Sequence, residues 1–328
     1  MMRPLIAVAL IALVPAPTPS ELARGSNRSM TIHAVAYSPD GKSIVTAGMC
    51  RPISLRDPLT GKEIRRLAKT ASWEGTAAFT PDGRYVLSAG RSDDGANGDG
   101  DIMLFPTAAT GETRVVGRVP NGEWVLSLAV SPDGKTVASA SLNAPVILWN
   151  LASGKEIRRL ECKGIRWSLS FSPDGKLLAS ASGDEKTVRI WETASGKELG
   201  PLPHPSCSVA FSPDGKVFAA GMHPTIKIWD VNAWKELRSL QGGAFCMAFS
   251  PDGRLLAAGS QIAPKIDLWD VATGKRVGEI KAAGEVTTLA FSPDGKKIAA
   301  GVYGKLQIWE TEGGKELLTL SLPPNERD

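Results

Sequence analysis

Histidine is scarce in this chain of 328 residues: His33, His204 and His223 are the three imidazoles. A metal cage or an imidazole-based catalyst needs His, Cys and carboxylates at tight ligand spacing. His204 and His223 share a region with Cys207, but no carboxylate partner or close spacing accompanies them. They read as loop histidines. A Gly-x-Ser-x-Gly elbow, a His-Glu-x-x-His pair and a Gly-rich phosphate loop ahead of a helix are all missing. Each would mark a known chemistry, so no catalytic residue, metal ligand or cofactor is expected. An excess of one charge is missing too. Lys and Arg total 38 against 34 Asp and Glu, a net charge of +4, and the two signs are interspersed. Nucleic-acid binders concentrate a basic face, so nucleic acid is not an expected partner.

Long apolar runs are lacking except at the start, where Arg3 precedes Leu5 to Val14 and then Pro15, Pro17 and Pro19. Ten apolar residues are too few to cross a bilayer but suit a secretory signal. Residues 1–19 are expected to be that signal and 20–29 a flexible segment. The chain is then exported, to a periplasm or outside the cell, and meets a membrane only through this signal segment. Cysteine is sparse, with Cys50, Cys162, Cys207 and Cys246. Four cysteines allow three pairings, and buried thiols are the simplest reading. One pair carries a hypothesis: Cys207 lies five residues before its turn motif and Cys246 four before. They therefore point to opposite faces of equivalent strands, and stacked sheets would bring opposite faces together.

What is present is a repeat. Ser-Pro-Asp-Gly, or Thr-Pro-Asp-Gly once, begins at Ser38, Thr80, Ser131, Ser172, Ser212, Ser250 and Ser292. A period near 40 residues signals one small unit copied in series. In the fourth copy the pattern predicts a strand over Ile165 to Ser172, the turn Pro173-Asp174-Gly175, and strands over Leu177 to Ser182 and Thr187 to Trp191. A fourth strand starts at Glu198-Leu199. Proline presets one turn angle and glycine accepts positive φ, so each copy reads as four antiparallel strands joined by hairpins. The residue before the serine is large (Tyr37, Phe79, Val130, Phe171, Phe211, Phe249, Phe291). The residue before that is small (Ala36, Ala78, Ala129, Ser170, Ala210, Ala248, Ala290). Period-2 alternation places the two sets on opposite faces, so a large face can meet the small face of the next sheet around a closed ring.

Third strands end in Leu148-Trp149-Asn150, Ile190-Trp191-Glu192, Ile228-Trp229-Asp230, Leu268-Trp269-Asp270 and Ile308-Trp309-Glu310. With the Ser-Pro-Asp-Gly-Lys and Thr/Ser-Gly-Lys-Glu turns, they make residues 31–320 resemble the WD-repeat β-propeller family. The resemblance implies an all-β, seven-bladed β-propeller over residues 30–322, with four antiparallel strands per blade and a tail at 323–328. It also implies that the five tryptophans pack blade against blade. The chain departs from the family at Leu55-Arg56-Asp57 and Leu104-Phe105-Pro106, where tryptophan is expected. The family's Gly-His dipeptide is absent, only the fourth copy keeps the tight-turn aspartate, at Asp184, and several turns use proline instead. Because the chain opens on a first strand and ends on a fourth, the ring is expected to close by packing between blades one and seven, without strand exchange.

The resemblance further implies that the Ser-Pro-Asp-Gly and Gly-Lys-Glu turns share one face and the variable loops the other. On the variable face Trp73, Trp124, Arg166, Trp167, Phe245 and Tyr303 are candidate partner-binding residues, because aromatics and arginine dominate interface hot spots. Capping of blade ends is the plainer reading, and Trp167 has the parity of the core face. Asp93, Asn97, Asp99 and Asp101 alternate in the long loop 91–101 as calcium ligands do. Gly95 and Leu104, however, fall where an EF-hand needs oxygen donors, and a solvated loop explains the composition equally well. The expected function is that of a monomeric, non-enzymatic scaffold for a protein or peptide. The alternative is an exported propeller enzyme, lactonase-like or quinone-dependent dehydrogenase-like. The latter's repeats carry a tryptophan where Gly278 stands, which counts against it.

Overall fold

The computed structural model describes residues 31–48, 51–68, 76–89, 100–120, 125–141, 144–162, 164, 167–182 and 185–322. They form seven four-stranded antiparallel sheets, each built from consecutive strands. We call these blades one to seven, spanning 32–68, 76–118, 125–160, 168–202, 208–241, 246–281 and 286–321. No α-helix occurs among the described residues. In blade four the strands are Ser168–Phe171, Leu177–Ser182, Thr187–Glu192 and Glu198–Leu202. The first is shorter than its apolar pattern suggests, although the Trp167 N–H still donates to the Ala181 carbonyl at 3.1 Å. The inner strands of successive blades lie side by side around the ring, blade one against blade seven included.

The alternation of large and small residues sets how the blades stack. Phe171 and Trp191 of blade four lie in one cluster with Ala138, Ala140 and Leu148 of blade three. Phe211 and Trp229 of blade five meet Ala179, Ala181 and Ile190 of blade four in the same way. Large residues therefore face the preceding blade, and the small residue beside them faces the following one. The tryptophan position is defined by its partner in the second strand, as in Val137 opposite Trp149. By that register blade two places Phe105 there, opposite Val86, and blade one places Arg56, opposite Ile44. Arg56 is buried. Its guanidinium donates to Thr46 Oγ1 at 3.3 Å, the Gly61 carbonyl at 3.2 Å and Glu63 Oε2 at 3.3 Å. A buried guanidinium is tolerated only with such partners, and these three are all local to blade one.

The seam between blades seven and one closes as expected, by packing. Ile32, Val35, Tyr37 and Ile44 of blade one enclose Ala290, Ala299, Leu306 and Ile308 of blade seven in one cluster. Thr287 Oγ1 donates to the Ile32 carbonyl at 2.6 Å across the seam. Blade seven's sheet consists of its own four strands.

Every outer strand is a sheet edge, and six of them carry a bulge at one place. Between the partners of Leu148 and Trp149, for example, the register skips Ile157. The skipped residues Ile64, Ile157, Leu199, Leu237, Val277 and Leu317 are exposed aliphatics. A bulge kinks the edge away from the flat geometry that would pair with another chain.

Candidate functional site

The two faces of the ring differ in what their residues are free to do. On the turn face each motif serine or threonine donates to the aspartate two residues on at 2.5–2.7 Å. The same aspartate accepts a backbone N–H two residues further on at 3.0–3.1 Å. The Ser38 hydroxyl is the main influence holding the Asp40 carboxyl below its usual value. At Asp133, Asp174, Asp214, Asp252 and Asp294 partial burial pushes upward, and the serine and backbone hydrogen bonds outweigh it. The motif glycines take φ of 69–72°, and each lies over the proline of the preceding blade's motif. Gly83 sits on Pro39, Gly134 on Pro81, and finally Gly41 on Pro293. This face is a closed ring of identical turns whose polar groups are committed to one another.

The opposite face is built differently in every blade. Blade five turns through His223-Pro224, joined by a cis peptide bond, and blade seven through Tyr303-Gly304. Blade six uses a longer loop in which Ser260 Oγ accepts the N–H groups of Ile262 and Ala263 at 3.1 and 3.2 Å, leaving Ile262 71% exposed. Of the predicted contact residues, Tyr303 is 50% exposed at φ 37°. Phe245 is half-buried, with its N–H bound to the Gly259 carbonyl at 2.8 Å. Trp167 is half-buried against the cluster containing Ala34, Ala77 and Leu126, the inner-strand residues of blades one to three. These three stand on blades six, seven and four. Trp73, Trp124 and Arg166 lie outside the described residues.

The other sequence candidates resolve into local chemistry. Both His204 nitrogens are engaged, Nδ1 with Ser206 Oγ at 2.9 Å and Nε2 with Thr225 Oγ1 at 3.2 Å. The ring stands edge-on to Trp229, and burial is the main cause that lowers its pKa. His223 instead lies beside Gly243. No cluster of three or more His, Cys, Asp or Glu arranged for a metal occurs among the described residues. Asp101, the last of the calcium candidates, is buried and bound by Arg118, with Nε to Oδ1 at 2.6 Å and Nη2 to Oδ2 at 3.1 Å. Asp93, Asn97 and Asp99 lie outside the described residues. No disulfide joins Cys207 to Cys246. The Cys246 thiol is buried and points at the Val286 carbonyl of blade seven, 3.7 Å away, so it turns its back on blade five. Burial drives its pKa well above the usual thiol range.

Sequence reading missed a groove of about 1130 Å³ between blades six and seven, lined by Val277, Gly278, Glu279, Leu317 and the turn Glu310-Thr311-Glu312-Gly313-Gly314. Its signal in the sequence was the loss of side-chain bulk at Gly278 and Gly313.

Comparison with known proteins agrees with the architecture. The WD domain, G-beta repeat family matches residues 116–150, 154–192, 196–230, 234–261 and 274–310, more than half of the chain. The matched segments begin on the outer strand of blade two. The chain is 33% identical over 151 residues to an uncharacterized WD repeat-containing protein of Synechocystis sp., covering 44% of this chain and 39% of that protein. It is 27% identical over 194 residues to Telomerase protein component 1 of Mus musculus, covering 58% of this chain and 7% of that one. It is 28% identical over 100 residues to the Lissencephaly-1 homolog of Caenorhabditis briggsae, covering 29% and 26%. In each case the chain spans well under half the length of its relative. With seven sheets in a ring, buried third-strand tryptophans and these matched segments, the chain belongs to the WD domain, G-beta repeat family.

Proposed function

We propose that this protein is a non-enzymatic interaction scaffold whose variable loop face holds a protein or peptide partner. The observation that carries this reading is the contrast between the two faces. The turn face repeats one closed hydrogen-bonded motif seven times, whereas the loop face differs blade by blade. Specificity is written where residues vary on a rigid frame, and a preorganised surface loses little entropy on binding. A partner needs about 800 Å² on each side, which a propeller face supplies. One similar protein is, by its name, a component of telomerase, in keeping with a role in assembly. The apolar run 5–14 supports export as the setting in which the partner is met. Trp73 and Trp124, which sit at equivalent places in neighbouring copies, are the anchors of this reading, with Arg166, Trp167, Phe245 and Tyr303 around them. In the Trp73→Ala/Trp124→Ala variant, partner capture on the immobilised protein is expected to be lost while the thermal unfolding transition is kept. Undiminished capture by a folded double variant overturns the placement.

A further inference from the structure

One outer-strand position decides how each blade grips the next. It is the residue paired with the one before the tryptophan site: Arg65, Arg114, Arg158, Gly200, Arg238, Gly278 and Leu318 in blades one to seven. Each arginine reaches across to a backbone carbonyl at the end of the third strand or in the turn after it in the following blade. Arg65 donates to Pro106 at 3.1 Å, Arg114 to Leu151 at 2.7 Å and Ala152 at 3.1 Å, and Arg158 to Ala194 at 3.1 Å. Arg238 does the same to Ala272. Two of the remaining interfaces are filled another way. Leu318 packs over Gly61, and opposite Gly200 the turn of blade five carries Trp234 at φ 49°, in the apolar cluster between blades four and five. Between blades six and seven no side chain stands at this position: Gly278, Gly313 and Gly314 line a groove of about 1130 Å³, and the side chain nearest Gly314 is Ile280.

The vacant place keeps the features that receive an arginine elsewhere. Glu312 is three residues after Trp309, as Ala272 is three after Trp269, so the turn offers a carbonyl at the matching place in the chain, on a backbone that differs in having Gly313 at φ 75° where blade six has Thr273. Five carboxylates line the groove against two lysines, Lys296 and Lys297. Asp252 and Asp294 are engaged in their motif turns and Glu279 is bound by Arg276 and Lys265, which leaves Glu310 and Glu312 to meet a guanidinium. Val277 and Leu317, both substantially exposed, offer apolar cover for the methylenes of a long cationic side chain. The planar guanidinium fork, with several donors, matches carbonyls and carboxylates together, which a lysine ammonium does less well. From this we infer that the groove between blades six and seven is a docking site for an arginine side chain carried by a partner protein, which completes in trans the clasp the chain itself supplies at four other interfaces. The groove lies beside the turn face, away from the variable loops, so it stands or falls separately from the loop-face reading.

The test is an NMR titration of the full chain with Nα-acetyl-arginine amide, using Nα-acetyl-citrulline amide as the uncharged isostere. The amides of Gly278, Gly313 and Gly314 are expected to shift saturably with the arginine probe and to stay put with citrulline. Gly278→Arg supplies the clasp internally. A Cβ there is tight only against Leu268 Cδ1 at 3.2 Å, a side-chain tip that can move, with Leu268 Cβ at an ordinary 3.5 Å. The variant is expected to lose the arginine response and to unfold at a higher temperature. Glu310→Gln/Glu312→Gln leaves the backbone in place and is expected to weaken binding several-fold. Equal response to citrulline, shifts that map elsewhere, or binding retained by a folded Gly278→Arg variant overturns the proposal. Should Gly278→Arg fail to fold, unchanged affinity in the double glutamine variant overturns it.

Discussion

His33 lies on the inner strand of blade one with its ring enclosed, Nε2 2.7 Å from Thr31 Oγ1. Burial lowers its pKa from 6.5 to about 4, because a charged imidazole there would lose its hydration. As pH falls through 6.5 the unfolded chain takes up a proton at this position, and the folded chain does not until about pH 4. Stability that is full above pH 6.5 is therefore lost progressively towards pH 4, by about 3 kcal/mol in all for a shift of this size. Asp40, Asp133, Asp174, Asp214, Asp252 and Asp294 add a second loss at lower pH, since their folded pKa values lie below the unfolded one. Urea unfolding across this range is expected to show the midpoint of the wild type dropping between pH 6.5 and 4, with a clearly shallower slope for His33→Gln. Equal slopes in the two proteins count against a neutral buried His33. The sequence places His33 in a strand, five residues before Ser38. Its burial was not legible there, because the strand that carries it is enclosed by both neighbouring blades, and one of them, blade seven, is more than 250 positions away in the chain.

Between elements, the chief device is an aromatic wedge seated on the preceding blade, and Gly117 shows how tightly it fits. A Cβ on Gly117 would lie 2.6 Å from Trp149 Cδ2 and 2.7 Å from Cε3, far inside van der Waals contact. Gly117→Ala is therefore expected to destabilise the protein by about 1–3 kcal/mol, as overpacking does. The cost should shrink in a Trp149→Leu background, where the ring is gone, and a double-mutant cycle by urea denaturation measures that coupling. Additive effects would mean the two blades do not press on each other here. The pairing of large and small residues that makes this packing was legible because it recurs at fixed distances from the turn motif. The direction of stacking was not. Alternation puts Cys207 and Cys246 on opposite faces, but Cys246 looks forward to Val286 in blade seven rather than back to blade five. Arg56 is a similar case. Its place in Leu55-Arg56-Asp57 already marks it in the sequence as standing where tryptophan is expected, and the register with Ile44 agrees. Its burial among Thr46, Gly61 and Glu63 was not legible there. The groove at Gly278 was hidden for the same reason, since a missing clasp is visible only beside the clasps that are present.

At the scale of the whole molecule, seven blades each hold their own four strands, and the last meets the first through packed side chains, the Thr287–Ile32 hydrogen bond and the Gly41–Pro293 contact. A variant in which 322 is linked to 31 and the chain is opened in the loop 282–285 is accordingly expected to fold into the same ring. Its far-ultraviolet circular dichroism should match the wild type and its unfolding should remain a single transition. A permutant that does not fold would mean the native order of blades is needed for assembly. The seven-turn arithmetic of the motif was legible from the outset, as was the missing tryptophan at Leu55-Arg56-Asp57, whereas the burial of Arg56 among partners of its own blade was not. Because every sheet is complete once its own residues have left the ribosome, backbone pairing never has to wait for a distant segment. What must wait is a single late event, the meeting of Ile32 with Thr287. Until then the nascent chain is an open arc that carries one uncovered apolar flank on blade one and another on blade seven, and a neighbouring arc presents the complementary flank. In crowded synthesis the hazard for this fold is therefore linear concatenation of unclosed arcs, and the ring is the form in which the two flanks find each other first.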